Sequence, residues 1–334
     1  MSQTVRPSPA RVLLLGFGAI GRHVATLLAP ERDAGLLQLR AAERNVASHG
    51  HRTIPGVELV TTGEDTDCPT WPEALTEADL VVECAGVDAA VEYGPEVIAA
   101  GTDLVLTSVG ALADPDLART LLSGPGRLWI TNGAIGGFDV LAAAADADGL
   151  DSVRIRTTKL PTSLLRPWMA PEEVERLHAL RPEDGPLTVF AGGPAEAIER
   201  FPANVNVAVG LAWATRGQPG AGVGVGAVVS ADGPEDADLL RRSLKRVQVE
   251  LVADAAARRS RHEILATGPA GRIELAFESA PSPENPKTSG MTALSVTRTI
   301  REALDLRGYG IRESAGIAYS VPVAVRSNRD ASTR

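Results

Sequence analysis

Residues 12–21 combine a strand-like apolar run with Gly16-x-Gly18-x-x-Gly21, the pattern with the clearest chemistry in the chain. In such a turn the first glycine permits the tight bend and the second lets the main chain approach a pyrophosphate. The third lets a helix pack closely on the strand. The helix N-terminus then offers N–H groups and the positive end of its dipole to phosphate. The pattern predicts a dinucleotide site, although glycines at this spacing also occur in ordinary tight turns.

An acidic residue follows at a position suited to bind a ribose. The apolar segment 35–42 predicts a second strand that ends at Glu43, 22 residues after Gly21. A carboxylate there accepts hydrogen bonds from the adenosine ribose and repels a 2′-phosphate, which favours NAD over NADP. Two alternatives stay open: Glu43 also fits a solvated loop charge, and the flanking Arg40 and Arg44 are suited to hold a 2′-phosphate.

His262 is the titratable residue of the second half with the most suitable chemistry. It lies at the predicted start of a strand, just after Arg258, Arg259 and Arg261. An imidazole exchanges a proton near neutral pH, as the oxidation of an amine or an alcohol requires. From the residues alone, the more frequent explanation is a polar histidine at a strand entry with no catalytic role.

Two polar segments are candidates for binding a substrate or the rest of a cofactor. Asn204 and Asn206 open a helix of small residues, where an amide either caps the helix or holds a carboxamide such as that of nicotinamide. Lys287, Thr288 and Ser289 precede the last predicted helix and are suited to a carboxylate. Plain N-capping by Thr288 or Ser289 is the alternative.

The elements that position these residues begin with an alternation of strands and helices typical of βαβ units. Strands are predicted at 12–15, 35–43, 79–86, 101–110 and 128–131, with helices after Gly21, at 87–100 and at 114–122. Parallel strands present ligand groups along their carboxyl edge, so Ala85, Gly86, Ser108 and Gly110 are expected near the cofactor. The alternative is that all four are ordinary tight-loop residues.

After Asp139 the pattern changes to a helix and then to strands with alternating polarity. The helix is predicted at 140–147, and the strands at 152–159, 251–254, 263–266 and 272–277. Strict alternation predicts a mostly antiparallel sheet with one covered face.

Three further segments complete the second half. The Pro-rich segment 160–186 is expected to run over the surface, and 217–226 fits either a flexible connection or a glycine-bearing strand. A last helix is predicted at 288–304. Its apolar side is expected to carry Met291, Leu294, Ile300 and Leu304.

Composition limits the class of protein. With 334 residues the chain is long enough for two domains, and a net charge of −9 argues against a nucleic-acid surface. Cys68 and Cys84 lack metal-ligand spacing and fit a reducing compartment, and His49 and His51 have no third ligand nearby, so no metal is predicted. No apolar run reaches a membrane span and residues 1–10 lack a signal-peptide pattern, so a cytoplasmic location is expected.

Taken together and in this order, seven segments resemble the L-aspartate dehydrogenase family. They are 16–21, 83–86, 108–112, 133–137, 204–208, 261–264 and 284–289, and they span the chain from 11 to about 305. The resemblance implies NAD(P)-dependent oxidative deamination of L-aspartate to iminoaspartate, which hydrolyses to oxaloacetate and ammonia. NAD biosynthesis is a pathway that the imine could feed. A small dicarboxylic amino acid is the expected substrate, and a homodimer is expected.

The resemblance also implies roles for single residues. The family's catalytic histidine falls on His262, which then acts as a general acid and base on the amine or on attacking water. The resemblance therefore favours a catalytic role for His262, whereas the residues alone favour a polar histidine at a strand entry. The implied cofactor contacts are Gly16, Gly18, Ala19, Ile20, Gly21, Ala134 and Asn206.

The predicted architecture is α/β: a Rossmann-type dinucleotide-binding domain with a parallel sheet at 11–138 and an α+β substrate and dimerisation domain at 139–305. A flexible tail is predicted at 1–10 and a C-terminal extension at 306–334. The last helix is expected to return toward the first domain.

The chain departs from the family pattern at three places. Leu160 stands in Lys159-Leu160-Pro161 where the family usually has proline, Ala255 replaces a favoured proline, and 217–246 is long. Two alternatives therefore stay open. One is an enzyme for a related amino or hydroxy acid, as in the homoserine dehydrogenase and dihydrodipicolinate reductase groups, and the other is a non-catalytic NAD-binding regulator.

Overall fold

Two β-sheets organise the part of the chain that the computed structural model describes, which is residues 8–45, 53–63, 68–202, 206–217, 234–282, 285 and 289–311. The first sheet is formed by β1 (Ala10–Leu15), β2 (Leu37–Glu43), β3 (Val57–Thr61), β4 (Leu80–Glu83), β5 (Asp103–Leu106) and β6 (Leu128–Ile130). All its pairings are parallel, in the order β3-β2-β1-β4-β5-β6. This is the strand order of dinucleotide-binding folds, and it confirms the predicted Rossmann-type domain with a parallel sheet.

Helices cover both faces of this sheet, which explains why its central strands are continuous apolar runs. The helices of this half are α1 (Ala19–Leu27), α2 (Ala29–Asp33), α3 (Trp71–Glu77), α4 (Val87–Ala99) and α5 (Pro115–Ser123), with a 3₁₀ turn at Val109–Ala113. Strand β4 is buried along its whole length. With both faces covered, functional groups of the sheet can reach solvent only at its edges, and the loops at the carboxyl edge carry the predicted site.

The second sheet is mixed and mostly antiparallel. It contains β7 (Ser152–Lys159), β8 (Leu187–Gly192), β9 (Val247–Ala253), β10 (Ser260–Gly268) and β11 (Gly271–Ser279). The order is β11-β10-β7-β9-β8, and only the β7–β9 pairing is parallel. On β7 the even–odd alternation turns Ile155 and Thr157 toward the core and Arg154 and Arg156 toward solvent. The predicted sheet with one covered face is confirmed, although β8 was not predicted.

The helices of the second half cover this sheet and connect it to the first. They are α6 (Phe138–Asp146), α7 (Pro161–Leu164), α8 (Pro171–Ala179), α9 (Pro194–Arg200), α10 (Asn206–Ala214) and α11 (Pro234–Arg246), with a 3₁₀ turn at Pro182–Asp184. The segment 160–186 is therefore partly helical, and the prediction that it runs over the surface is wrong for Leu164 and Leu177, which are buried. Helix α11 was not predicted, and residues 218–226 lie outside the described chain.

The last helix, α12 (Gly290–Leu306), returns to the first sheet and packs beside α1. Two ion pairs hold it there. Arg301 donates to the fully buried Glu31 at 2.6 Å, and Arg307 donates to Asp103 at 3.1 and 3.3 Å. The predicted return of the last helix toward the first domain is confirmed. The division between 138 and 139 stays a prediction.

The prediction of the apolar side of α12 is right for two of its four residues and wrong for the other two. Ile300 and Leu304 are buried, but Met291 and Leu294 are 49% and 45% exposed. At 3.6 residues per turn Met291 lies about 180° around the helix from Ile300, so the two cannot share a face. The buried stripe also contains Ala293, Val296 and Ala303.

Candidate functional site

The glycine turn between β1 and α1 has the geometry that its sequence predicts. Gly16 has φ +95°, and a Cβ there would lie 2.7 Å from the Cβ of Ala85 in the neighbouring loop. A Cβ at Gly21 would overlap the carbonyl oxygen of Gly16, so this glycine permits the close helix–strand contact. A Cβ at Gly18 would meet no atom of the protein within 4 Å. The turn is therefore tight at its ends and accessible at its centre, which suits a pyrophosphate.

Helix α1 begins with donors that an anion can use. Gly18 is its N-cap residue and supplies no side-chain cap, and the first turn contains no acidic residue. Within the helix the N–H of Arg22 bonds to the carbonyl of Gly18 at 3.0 Å. The N–H groups of Ala19, Ile20 and Gly21 precede that bond and belong to the turn that lacks intrahelical partners. These residues fit the phosphates of a dinucleotide.

Glu43 is the last residue of β2 and lies beside the glycine turn, because Ala42 pairs with Leu15 in the parallel register. Arg40, which the sequence left as a candidate for a 2′-phosphate, donates to Glu58 and to Glu77, each at 2.6 Å. Its guanidinium is thus neutralised by two carboxylates. The side chain of Arg44 is 83% exposed, and its Nη2 lies 3.9 Å from Oε2 of Glu92.

Glu83, at the end of β4, joins two loops at the carboxyl edge, a role that the sequence reasoning missed. Its Oε1 accepts the N–H groups of Ala85 at 2.8 Å and Gly86 at 2.7 Å, and the hydroxyl of Ser108 at 3.0 Å. Its Oε2 accepts the N–H of Ser108 at 2.8 Å. The carboxyl is fully buried, and that burial raises its pKa while the four hydrogen bonds oppose the rise. The signal in the sequence was an acidic residue ending a strand of buried apolar residues.

The same hydrogen-bonded system extends to the second half of the chain. Gly86 has φ +127° and is the N-cap residue of α4. Beyond Ser108, the N–H of Gly110 donates to Oδ1 of Asn206 at 3.1 Å. Since that oxygen already accepts a hydrogen bond, the amide NH₂ of Asn206 is the group suited to donate to a carbonyl oxygen. Asn204, the other predicted amide, lies outside the described residues.

Ala134 lies in the loop after β6, and this loop touches the second sheet. The hydroxyl of Ser279 donates to the Ala134 carbonyl at 3.5 Å, and Ser279 pairs with Ser260 at the start of β10. The contact places the Ala134 loop near the end of β10 that carries His262. The carboxyl edge of the first sheet and the covered face of the second thus meet at the predicted site.

His262 is the third residue of β10 and is only 4% exposed, on the covered face. It lies opposite Thr157 in the register with β7, and the Thr157 hydroxyl is 2.9 Å from Nδ1. Burial, together with the charge of Lys159, lowers the pKa of His262 to about 3. The imidazole is therefore neutral at physiological pH. When Nδ1 carries the proton and donates to Thr157, Nε2 presents a lone pair that can accept a proton.

Lys159 is a second residue that the sequence reasoning left without a role. It ends β7, is 8% exposed and lies on the covered face, two residues after Thr157. Burial and the nearby charge of Arg166 lower its pKa to about 8. The signal was its position: 153, 155, 157 and 159 are the inward positions of an alternating strand, and lysine is the unexpected residue among them.

The segment before α12 is only partly described. Ser289 is the N-cap residue of α12, and its hydroxyl accepts the N–H of Met291 at 3.1 Å. The structure thus has the plain N-capping that the sequence left as the alternative to substrate binding. Lys287 and Thr288 lie outside the described residues, so their predicted contact with a carboxylate stays a prediction.

Among the helices of the described residues, none is both long and apolar enough to cross a membrane. In that same portion of the chain, no group of three or more His, Cys, Asp and Glu residues is arranged to hold a metal ion.

Two family models match successive parts of the chain. Residues 16–124 match the NAD-binding domain of homoserine dehydrogenase. Residues 139–235 and 237–303 match the C-terminal domain of aspartate dehydrogenase. The first match supports a nicotinamide dinucleotide as the cofactor.

The chain is also similar to individual aspartate dehydrogenases along most of its length. The chain is 33% identical over 308 residues to an L-aspartate dehydrogenase from Ruegeria pomeroyi, covering 91% of this chain and 94% of that protein. It is 31% identical over 300 residues to an L-aspartate dehydrogenase from Serratia proteamaculans, covering 88% and 97%. The crystal structure of an aspartate dehydrogenase from Thermotoga maritima superposes with a TM-score of 0.58 at 25% identity, covering 88% of this chain and 96% of that one.

Proposed function

Because the chain belongs to the aspartate dehydrogenase family, we propose that it oxidises L-aspartate with a nicotinamide dinucleotide or catalyses the reverse reductive amination. The products of oxidation are iminoaspartate, which water converts to oxaloacetate and ammonia, and the reduced cofactor. The observation that carries this proposal is the buried, neutral imidazole of His262 on the sheet face that meets the cofactor-binding edge.

The bound cofactor supplies the hydride acceptor for the Cα–H bond. The chain's own residues bind it and manage protons. The glycine turn and the first turn of α1 bind the pyrophosphate, while Gly86 and the amide NH₂ of Asn206 lie along the edge toward the second sheet. Glu83 holds the loops that carry these groups at fixed positions.

His262 provides the base. The α-amino group of aspartate must lose its proton before the C=N bond can form, and a water molecule must lose a proton as it adds to the imine. Neutral Nε2 accepts either proton, and the Thr157 hydroxyl stabilises the resulting imidazolium through Nδ1. A pKa of about 3 belongs to the site without substrate. The two carboxylates of aspartate bring negative charge close to the ring and favour its protonated form.

The direct test is the formation of NADH from L-aspartate and NAD at alkaline pH, followed by absorbance, with oxaloacetate plus ammonium for the reverse direction. Homoserine and L-malate serve as controls for the related amino-acid and hydroxy-acid reactions. Turnover of either control with none of aspartate would overturn the proposal. The homoserine dehydrogenase match covers only the cofactor-binding half, so it bears on the cofactor and not on the substrate.

We also propose NAD rather than NADP as the preferred cofactor. Glu43 ends β2 beside the glycine turn, where a carboxylate bonds the ribose hydroxyls and repels a 2′-phosphate. Of the two arginines nearby, Arg40 does not offset it, because its guanidinium is paired with Glu58 and Glu77.

Replacing Glu43 with alanine should therefore lower the ratio of kcat/KM with NAD to kcat/KM with NADP by about tenfold or more, since a charge-assisted contact is lost and a repulsion removed. Steady-state kinetics with both cofactors measures the ratio. Glu175→Ala in α8, an exposed carboxylate away from the turn, is the charge-matched control. An unchanged ratio in Glu43→Ala would show that Glu43 does not read the ribose.

Three further expectations accompany the proposal and stay predictions: a cytoplasmic location, a homodimeric assembly and a link to NAD biosynthesis. The proposed substrate, L-aspartate, is a small dicarboxylic amino acid.

A further inference from the structure

Arg166 lies on the segment that follows β7, the strand that carries Thr157 and ends at Lys159. Its side chain is half-buried, and its guanidinium stacks on the ring of Phe201, 5.6 Å from the ring centre. Phe201 is fully buried and directly follows α9. The guanidinium therefore packs against the end of α9 rather than extending into solvent.

Helix α9 in turn contacts the carboxyl edge of the first sheet. A Cβ at Gly110 would overlap Cδ1 of Ile198 and lie 2.5 Å from Oδ1 of Asn206, so both residues crowd the turn after β5. Ile198 and Phe201 are three positions apart in the sequence, which is about one helical turn. Arg166 is therefore placed where the second half of the chain meets the cofactor-binding edge.

The cations on this side of the second sheet are ordered with respect to the base. The charge of Lys159 lowers the pKa of His262, and the charge of Arg166 lowers the pKa of Lys159. Arg166 is not among the groups that shift the pKa of His262, so it lies beyond Lys159 as seen from the imidazole. A substrate whose amino group meets His262 would reach Arg166 with its more distant end.

The donors of Arg166 are unevenly used. Nη1 donates to the main-chain carbonyls of Ser163, at 3.2 Å, and of Leu165, which orients the guanidinium. Within the described part of the chain, Nε and Nη2 have no hydrogen-bond or ion-pair partner. The N–H of Nε and one N–H of Nη2 are parallel donors, and this pair binds the two oxygens of a single carboxylate.

Arg200 belongs to the same cluster and provides a contrast. It stacks on Trp168 and Phe201, but its Nη1 lies 3.6 Å from Oε1 of Glu196. Among the described residues no carboxylate pairs with Arg166, and burial lowers the pKa of its guanidinium. A cation that is partly withdrawn from water without an anionic partner is stabilised when an anionic ligand binds.

We propose that Arg166 binds the side-chain carboxylate of the substrate and so selects a dicarboxylic amino acid over a monocarboxylic one. The inference rests on the proposed function, because L-aspartate carries its second carboxylate two bonds away from the amino-bearing carbon. Arg166 can bind this group whatever partner Lys159 has within the protein. A bidentate contact also fixes the distance between this carboxylate and the amino group that His262 deprotonates.

The test compares succinate with butyrate, two four-carbon acids that differ in the second carboxylate, as ligands of the complex of the full chain with NADH. We expect the wild type to bind succinate about 30-fold more tightly than butyrate, or better. In Arg166→Met this preference should fall by about tenfold or more, because succinate loses its contact and butyrate does not. The kcat/KM for L-aspartate should fall with it, and the dissociation constant of NADH should stay unchanged.

Three more variants separate the charge of Arg166 from its packing. Arg166→Gln is a second neutral variant whose amide can still donate to the loop carbonyls, and it should lose the preference as Arg166→Met does. Arg166→Lys keeps the charge without the parallel donors and should retain part of the preference. Arg200→Met is the control, since it removes the neighbouring guanidinium from the same ring and should leave the preference unchanged. Quenching of NADH fluorescence measures the binding of both acids.

The outcomes distinguish this inference from the proposed function. If the wild type oxidises L-aspartate but both neutral Arg166 variants keep the preference for succinate, the inference is wrong and the function stands. If the wild type does not oxidise L-aspartate but prefers succinate through Arg166, the function is wrong and the dicarboxylate site stands. Equal weakening of succinate and butyrate in the neutral variants, or loss of the preference in Arg200→Met, would show that the aromatic cluster acts through packing and would overturn the inference.

Discussion

Replacing His262 with alanine is expected to lower kcat for L-aspartate oxidation by about 10³-fold while leaving the dissociation constant of NADH unchanged. General acid–base catalysis by a positioned side chain contributes about 10²–10⁴-fold, and His262 is the neutral base on the covered face of the second sheet. Among the described residues, the side-chain hydrogen bond of His262 goes to Thr157 and not to the glycine turn, so loss of cofactor binding should not accompany loss of turnover. Stopped-flow measurement of hydride transfer, with NADH fluorescence for binding, separates the two quantities.

Two further variants separate proton transfer by His262 from the orientation of its ring. His262→Asn keeps a side chain that can bond to Thr157 but cannot transfer the proton, so its kcat should be as low as that of the alanine variant. Thr157→Val leaves the imidazole in place and removes the 2.9 Å contact at Nδ1. Its kcat should fall by only about tenfold, since Thr157 orients the base and does not replace it. Retention of more than a tenth of wild-type kcat in His262→Asn would remove His262 from the proton-transfer step.

The ionisation of His262 also predicts how stability depends on pH. Burial lowers its pKa in the folded protein to about 3, while the unfolded chain titrates near 6.5. Between these values the unfolded state binds more protons, so the free energy of unfolding falls as the pH falls, by up to about 1.4 kcal/mol per pH unit. The acid-induced loss of stability should therefore be smaller in His262→Asn, and denaturant unfolding at pH 7 and pH 5 measures the difference.

The glycine turn was predictable from the sequence because its physical requirements are local. A positive φ at Gly16, close packing at Gly21 and access at Gly18 all arise within six residues. The alternation of strands and helices in this half was predictable for the same reason, except for β3 (Val57–Thr61), which the sequence reasoning missed. The family resemblance, now confirmed by relatives that cover most of the chain, favoured a catalytic role for His262, which the residues alone did not.

The missed features depend on partners that are distant in sequence. Glu83 acquires its role only when Ser108, 25 residues later, comes within hydrogen-bonding distance. The position of Lys159 on the face of His262 comes from a strand pairing that joins residues about a hundred positions apart. The error in the predicted apolar side of α12 has a similar cause. Which side of this helix faces the sheet is set by its packing on α1 and by the ion pairs to Glu31 and Asp103. Apolar residues alone could not decide which side of that helix faces the sheet.

Glu83 gives the second large expected effect. In Glu83→Ala the N–H of Ser108 loses its acceptor in a buried place, and the N–H groups of Ala85 and Gly86 lose theirs at partly buried positions. Each unsatisfied group costs about 1–3 kcal/mol, so the free energy of unfolding should fall by several kcal/mol. The loops after β4 and β5 should then lose their fixed separation, and the dissociation constant of NADH should rise by about 10- to 100-fold. Calorimetric unfolding and NADH fluorescence measure the two effects.

The hydrogen bonds of the two carboxylate oxygens of Glu83 predict that Glu83→Gln has a smaller effect on stability and on NADH binding than Glu83→Ala. Oε1 accepts three hydrogen bonds, from the loop after β4 and from the Ser108 hydroxyl, and Oε2 accepts one, from the Ser108 N–H. In Glu83→Gln the carbonyl oxygen can keep the three bonds while the NH₂ group faces the remaining donor. The glutamine variant should therefore lose only about 1–2 kcal/mol of stability and weaken NADH binding less than tenfold.

Asp79→Asn is the control for general destabilisation of the same strand. Asp79 precedes β4 at the opposite edge of the sheet and accepts the N–H of Arg11 at 2.8 Å. Its substitution should lower stability without changing the dissociation constant of NADH, since it touches neither loop of the carboxyl edge. If the Glu83 and Asp79 variants weaken NADH binding in proportion to their loss of stability, Glu83 acts on the fold alone. If only the Glu83 variants weaken it, the buried carboxylate positions the cofactor loops.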